Sequence, residues 1–470
     1  MVIPRSWPLS LGFPLSLALA TPASPGTCPL EAGAARLDIT PDVARGPVWL
    51  AGFSHGRRAT GVHDDLQVRA LALRCGSQGV VLIAADLIGL FHEEVVAARE
   101  TLRDLPGFTQ VSVLVAATHT HSGPDTLGLW GRDPITRGVD DEYLRRVRQS
   151  LVRVAMQAMA TLRPARLRAA QVDAADLLAR SRLPRVTDGT LTAFRLEARD
   201  AGTPIATVSI WGAHPEVLGP ENSLVSADFP HWLRRTMEAE AGGLALYFSG
   251  AIGAQTPQGV PIPDPATGHP ALEGSVRKAE LLGVELGWRA LAALAEAPAI
   301  PGTPLAVRVR ELSVPLTNPG FQRLADAGVI RRPASPHAGS EILQLQTEVS
   351  LLQIGEVTLL GVPGEIFPEL VRGGLQTPQE PGADFPGAAC EEPPLLALVP
   401  GRVRAVVGLA NDELGYIIPK SQWDERPPFA YGLPHPQYGE ANSASYELAP
   451  LIHAAVRALA GPGRVSHPPR

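Results

Sequence analysis

Apolar positions along the 470-residue chain alternate between two patterns. Unbroken runs such as Val80 to Ala85 and Val111 to Ala117 predict buried strands, because a strand covered on both faces has no polar side to show. Between and after them, His92 to Leu105 predicts an amphipathic helix, and Asp140 to Leu162 a long one with Leu144, Val147, Leu151 and Ala155 on one face. Further strands are expected at 191–199, 204–212, 244–249, 346–354 and 356–362, and helices at 227–240, 273–296 and 444–460. The alternation predicts an α/β fold with mixed sheets flanked by helices. No repeat with a period of roughly 20–50 residues recurs, which argues against a repeat protein. The Pro/Gly-rich stretches 257–270, 330–340 and 376–395 are expected to be surface loops, since strand and helix patterns resume after each. The reading is one large domain over 30–462, with a disordered tail at 463–470.

Hydrophobic residues make up 45% of the chain and charged ones 19%, enough to bury a sizeable core. A net charge of −6, from 41 basic and 47 acidic residues, leaves no electrostatic footprint for nucleic acid or an anionic membrane surface. Residues 1–27 carry Arg5, an apolar stretch from Trp7 to Ala20 and the small residues Ala18, Ala20 and Ala23. They read as a secretory signal peptide cleaved near Ala20 or Ala23, so a secreted or periplasmic location is expected. No later run reaches the roughly eighteen apolar residues of a transmembrane segment. Three cysteines, Cys28, Cys75 and Cys390, match no metal-ligand spacing and permit one bridge at most, with the pairing left open.

The chemistry concentrates where strands end. Val111 to Ala117 runs into Thr118-His119-Thr120-His121-Ser122-Gly123-Pro124. In extended chain His119 and His121 would share one face, a metal ligand beside an acid/base, though the pair alone equally fits hydrogen-bonded structural histidines. Ile205 to Ala213 ends in His214-Pro215-Glu216, Val357 to Gly364 in Glu365, and Val403 to Ala410 leads through Asn411-Asp412-Glu413 to Tyr416. Strands ending together bring such residues into one crevice, and two imidazoles, a carboxylate and a phenolate suit Zn2+. Singly, Glu365 also fits a helix start, and Tyr416 a core aromatic.

These segments, in order, resemble the neutral/alkaline, non-lysosomal ceramidase family. The likeness rests on Leu37-Asp38-Ile39-Thr40-Pro41, Gly61-Val62-His63-Asp64-Asp65, Thr118 to Pro124, Ala213-His214-Pro215, Pro363-Gly364-Glu365, and Gly408-Leu409-Ala410-Asn411 with Gly415-Tyr416. Of these the Thr118 to Pro124 segment is the most specific. The resemblance implies a zinc amidohydrolase in which His119, His214, Glu365 and Tyr416 hold the metal and His121 is the general base for zinc-bound water. It places an oxyanion-stabilising tyrosine at Tyr438, and a substrate-binding arginine at Arg180, with Arg182 as competitor. Thr256 stands where the family carries a serine, in Gly253-Ala254-Gln255-Thr256-Pro257-Gln258, and is expected to contact substrate; Ala254 replaces the family's aspartate. Only the N-terminal catalytic domain is matched, with no length left for the family's immunoglobulin-like C-terminal domain. The expected function is hydrolysis of the N-acyl amide of ceramide-like lipids. The alternatives are a zinc hydrolase of another amide or ester, or a metal-containing binding protein without turnover. Natural substrate, acyl length and oligomeric state are left open.

Overall fold

A computed structural model describes residues 28–300, 304–336, 342–375 and 380–461. The signal-peptide reading of 1–27 and the tail at 463–470 lie outside the described residues. Of the nine strands of the larger sheet, eight follow one another in a continuous order: β1 (Leu30–Asp38), β2 (Gln67–Cys75), β3 (Gln78–Ala85), β4 (Val111–Ala117), β5 (Arg163–Asp173), β6 (Thr190–Ala198), β7 (Pro204–Trp211) and β8 (Leu244–Ser249). Their order is β8-β7-β6-β5-β1-β2-β3-β4, and the two-residue strand Ala299–Ile300 pairs with β5. The outer pairs β8/β7 and β3/β4 are parallel and those between them antiparallel. A smaller sheet contains β9 (Leu305–Pro315), β10 (Leu343–Ile354), β11 (Val357–Gly361) and β12 (Val403–Val407), with β11 and β12 parallel. The mixed sheets predicted from the sequence are present.

Side-chain alternation explains how the layers stack. In β3, Val80, Leu82 and Ala84 share a core with Leu352, Leu359 and Val407 of the smaller sheet, so the two sheets pack face to face. The intervening Val81, Ile83 and Ala85 pack under the helices α1 (His92–Arg103) and α2 (Asp141–Ala160). α3 (Phe229–Ala241) and α4 (Val276–Ala295) cover the β7–β8 end of the same face. On the far side of the smaller sheet lie α5 (Pro319–Asp326) and α6 (Leu448–Ala460), the latter through Leu448, Ile452 and Val456. Short polar side chains fix the helix starts: Asp140 accepts from the amides of Glu142 and Tyr143, and Asp228 from that of Phe229. Cys28 and Cys75 form a disulfide beside the register pair Leu30 and Cys75, with Cα atoms 5.4 Å apart, and Cys390 is free. No described helix is long and apolar enough to cross a membrane.

Candidate metal centre and active-site cavity

Both sheets deliver polar residues to the same end of the sandwich. There the amide of Gly408, just past β12, donates to the Ser249 carbonyl at the end of β8, and the Ser249 hydroxyl to the Thr118 carbonyl just past β4. Beyond β4 the chain leaves the extended path, because His119 has φ of 67°, a left-handed conformation that costs a residue with a Cβ. The turn, and not the two-residue alternation of a strand, brings the His119 and His121 rings to 5.0 Å between centroids. His214 follows β7, Glu365 follows β11 and Tyr416 follows β12; Glu365–Ile366 and Tyr416–Ile417 pair as short parallel strands. Gly415, at φ of 78°, packs so closely on the Asn442 carbonyl that a side chain there would overlap it. A side chain at Gly364 would likewise overlap the Gly415 carbonyl. The glycines of Pro-Gly-Glu and Gly-Tyr are thus what lets Glu365 and Tyr416 lie side by side.

At the centre, His214 Nε2 is 2.8 Å and His119 Nε2 3.5 Å from Glu365 Oε2, and the Tyr416 hydroxyl is 3.3 Å from His214 Nε2. The opposite ring nitrogens are anchored on backbone: His119 Nδ1 lies 2.7 Å from the Ile88 carbonyl and His214 Nδ1 2.8 Å from that of Gln255. Such anchors fix the ring orientation and leave Nε2 facing the cluster, the arrangement that supports metal-bound histidines. His121 has no hydrogen-bond partner at either ring nitrogen. Its ring lies edge-on to Phe53 and against Gly52, where a side chain would overlap it. Arg57 holds this wall by donating to the carbonyls of Ala51, His121, Pro220 and Asn222. One ring nitrogen from each of His119, His121 and His214 lies within 4.8 Å of the others. The buried histidine group can hold a metal ion, and the added carboxylate and phenol complete a nitrogen and oxygen donor set that fits one.

Charge in the cluster is strongly coupled. Burial lowers His119 to about 4, and burial with the neighbouring imidazoles holds His121 well below its usual range. Burial acts most strongly, to lower His214, but its hydrogen bond to Glu365, the charges of Glu216 and Glu365 and the Gln255 carbonyl together outweigh it and raise it to about 9. Against burial, His119 and His214 keep Glu365 below the usual carboxylate range. Burial and Glu365 push Tyr416 far up.

The remaining sequence candidates fall differently. Tyr438 stands at the rim, its ring 5.6 Å from that of Tyr416, and partial burial with the charge of Glu365 raises it to about 12. Arg180 does not reach the cavity: its guanidinium donates to both carboxylate oxygens of Glu369, at 2.8 and 2.9 Å, and to the Gly253 carbonyl, and its side chain is 2% exposed. The competitor Arg182 is equally committed, to Glu440. Both arginines serve buried ion pairs because the elements carrying Glu369 and Glu440 close over them. Thr256 donates at 2.6 Å to Glu216 Oε1, whose other oxygen is 3.5 Å from His121 Nδ1. Glu216 was given no role from the sequence, although it stands in the His-Pro-Glu segment.

A cavity of about 520 Å3 opens from the cluster. His119, His121, Glu365, Tyr416 and Tyr438 form its polar end, and Leu127, Trp130, Phe321, Leu324 and Ile330 line apolar parts of it. Residues 30–244 match the family described as neutral/alkaline non-lysosomal ceramidase, N-terminal. The described fold superposes on the crystal structure of neutral ceramidase from Pseudomonas aeruginosa with a TM-score of 0.68, at 18% identity, over 92% of this chain and 75% of that one. Over residues 30–244, a little under half of its length, the chain is similar to the neutral/alkaline ceramidase family. In sequence it is 30% identical to the Pseudomonas aeruginosa neutral ceramidase over 159 residues, 32% of this chain and 23% of that protein. It is 24% identical to neutral ceramidase A of Dictyostelium discoideum over 212 residues, 40% of this chain and 29% of that one. The matched stretches thus span less than a third of either ceramidase. His119, His121 and His214 lie inside the family match, whereas Glu365, Tyr416 and Tyr438 lie beyond it, in the smaller sheet and its loops.

Proposed function

We propose that the chain, as one catalytic domain over 30–462, is an exported zinc amidohydrolase acting on ceramide-like N-acyl lipids. The observation that carries this reading is the joining of a nitrogen and oxygen ligand cluster to an apolar cavity. His119, His214, Glu365 and Tyr416 would hold the zinc. When bound, zinc brings the pKa of a coordinated water near neutrality and polarises a carbonyl. His121, its ring clamped by Gly52 and Phe53 with both nitrogens uncommitted, takes one proton from the attacking water. As the water oxygen adds to the amide carbon and the carbon–nitrogen bond breaks, the same imidazole passes that proton to the departing nitrogen. The products are a carboxylic acid and an amine. The Tyr438 hydroxyl, close to Tyr416 at the rim, donates to the oxygen on which charge develops. The apolar wall seats the hydrocarbon chain and excludes water.

Thr256 supports Glu216, to whose carboxylate its hydroxyl donates. The Cys28–Cys75 disulfide supports an oxidising, exported location. The test is turnover of ceramide, simpler N-acyl amines and esters by purified protein, alongside metal analysis. Release of free fatty acid from the amides, lost with a chelator and restored by zinc, is expected. Hydrolysis of esters alone would replace the amidase reading, and no turnover of any of them would overturn the enzyme reading.

A further inference from the structure

The segment Asn411-Asp412-Glu413 divides its work unevenly. Asn411 accepts from the Val115 amide at 2.8 Å and donates to Glu348 at 2.7 Å, tying the segment to β4. Asp412 receives both terminal nitrogens of Arg332 at 2.7 Å. These two are occupied with the scaffold. Glu413 is 6% exposed and lines the cavity; Oε1 accepts from the Gly415 amide at 2.8 Å, while Oε2 has no hydrogen-bond partner. Its stem packs so closely on Gly89 that a side chain at Gly89 would crowd it, which fixes the carboxyl in place. Arg332 lines the same cavity but is taken by Asp412. Burial and the neighbouring charge of Glu365 raise Glu413 well above the usual carboxyl range.

A buried polar atom without a partner is costly, and a ligand that supplies the partner is favoured over one that does not. We propose that Glu413 is a specificity-determining residue whose Oε2 meets a hydroxyl or other uncharged polar group carried on the apolar chain of the substrate close to the scissile bond. The inference rests on the amidohydrolase reading. Proximity to the bond follows from position: Glu413 precedes Tyr416 by three residues and lies within electrostatic range of Glu365, while the cavity it lines continues along Leu127 and Leu324.

The test uses three N-acyl amines of equal length: one plain, one with a hydroxyl beside the carbonyl on the acyl side, and one with the hydroxyl beside the nitrogen on the amine side. Their kcat and KM are measured with the zinc-loaded wild type, Glu413→Leu and Glu413→Gln, and their Kd with metal-free protein by isothermal titration calorimetry. Wild type should prefer one hydroxylated substrate by about tenfold in kcat/KM and in Kd. Glu413→Leu should reduce that preference to within about twofold, its loss on the preferred substrate exceeding any loss on the plain one, and Glu413→Gln should change it by roughly threefold. No preference in wild type overturns this inference and leaves the hydrolase reading standing; no turnover of any of the three overturns both. An equal loss on all three substrates in Glu413→Leu assigns Glu413 to the scaffold and overturns the proposal. Should Glu413→Leu not fold, an unchanged preference in Glu413→Gln overturns it.

Discussion

His214 Nε2 and Glu365 Oε2 lie 2.8 Å apart although 151 residues separate them, one side chain from the larger sheet and the other from the smaller. The cluster is therefore a property of the sandwich as a whole, and no single segment can form it. Because its two backbone-anchored histidines face the carboxylate, purified protein is expected to carry about one zinc per chain. His119→Ala and His214→Ala should each lose it, since one ligand removed from a four-ligand site takes away most of the binding free energy. Elemental analysis decides, and full zinc retention in both variants would refute the ligand assignment.

Arg180 and Glu369 make a buried ion pair in which Nη2 donates to both carboxylate oxygens, so their removal should be read in stability. Arg180→Ala or Glu369→Ala leaves an uncompensated buried charge and is expected to cost about 3–5 kcal/mol. Arg180→Met with Glu369→Leu should recover much of it. Denaturant unfolding measures both. A stable Arg180→Ala protein whose KM alone rises would restore the substrate-binding role expected from the sequence.

The sequence made the strands that end at the cluster legible because their runs are continuous and rich in Val and Leu, as in β4 and β11. It concealed β2 and β5, where Gln67-Val-Arg-Ala-Leu-Ala-Leu-Arg-Cys75 and Arg163 to Asp173 interleave alanine and arginine, residues with weak strand preference that the sheet nonetheless pairs. The four ligand candidates could be found because each follows a strand. The positive φ of His119, which does the work assigned to strand alternation, has no signature in a Thr-His-Thr-His stretch. Nor does the sequence distinguish Arg180 from a surface arginine, because its partner Glu369 is 189 residues away.

Asp228 supplies the pH prediction. Burial, opposed by the amides of Leu218, Phe229 and Val217, raises its carboxyl to about 7, with Asp64 adding to the rise. Between about pH 4, where the unfolded aspartate ionises, and about 7, the folded chain binds the extra proton, so this group's contribution to stability declines as pH rises. Asp228→Asn should remove that slope. Thermal midpoints across this range for both proteins test it, and parallel curves would refute it.

The Cys28–Cys75 bridge closes a loop of 47 residues at the head of β1. Cys28→Ser or Cys75→Ser is expected to lower stability by about 2–5 kcal/mol without altering the zinc content. Denaturant midpoints under oxidising and reducing conditions measure this, and reduced wild type should match the variants. A wild type indifferent to reductant would contradict a bridged native state.

His121 separates proton transfer from metal binding within one short segment. His119 and His214 have an Nδ1 held by a backbone carbonyl and an Nε2 facing Glu365, whereas neither nitrogen of His121 has a hydrogen-bond partner and its Nδ1 lies 3.5 Å from Glu216. A group arranged in this way can be removed without dismantling the donor set. His121→Ala should therefore keep about one zinc per chain while losing roughly 10²–10⁴ in kcat, the usual worth of general acid/base help. Metal content and single-turnover rates on the same preparation make the comparison, with His119→Ala as the reference that loses both. If His121→Ala empties the site as completely as His119→Ala, the three-histidine group holds the metal as a unit, and the proton must be carried by a different side chain.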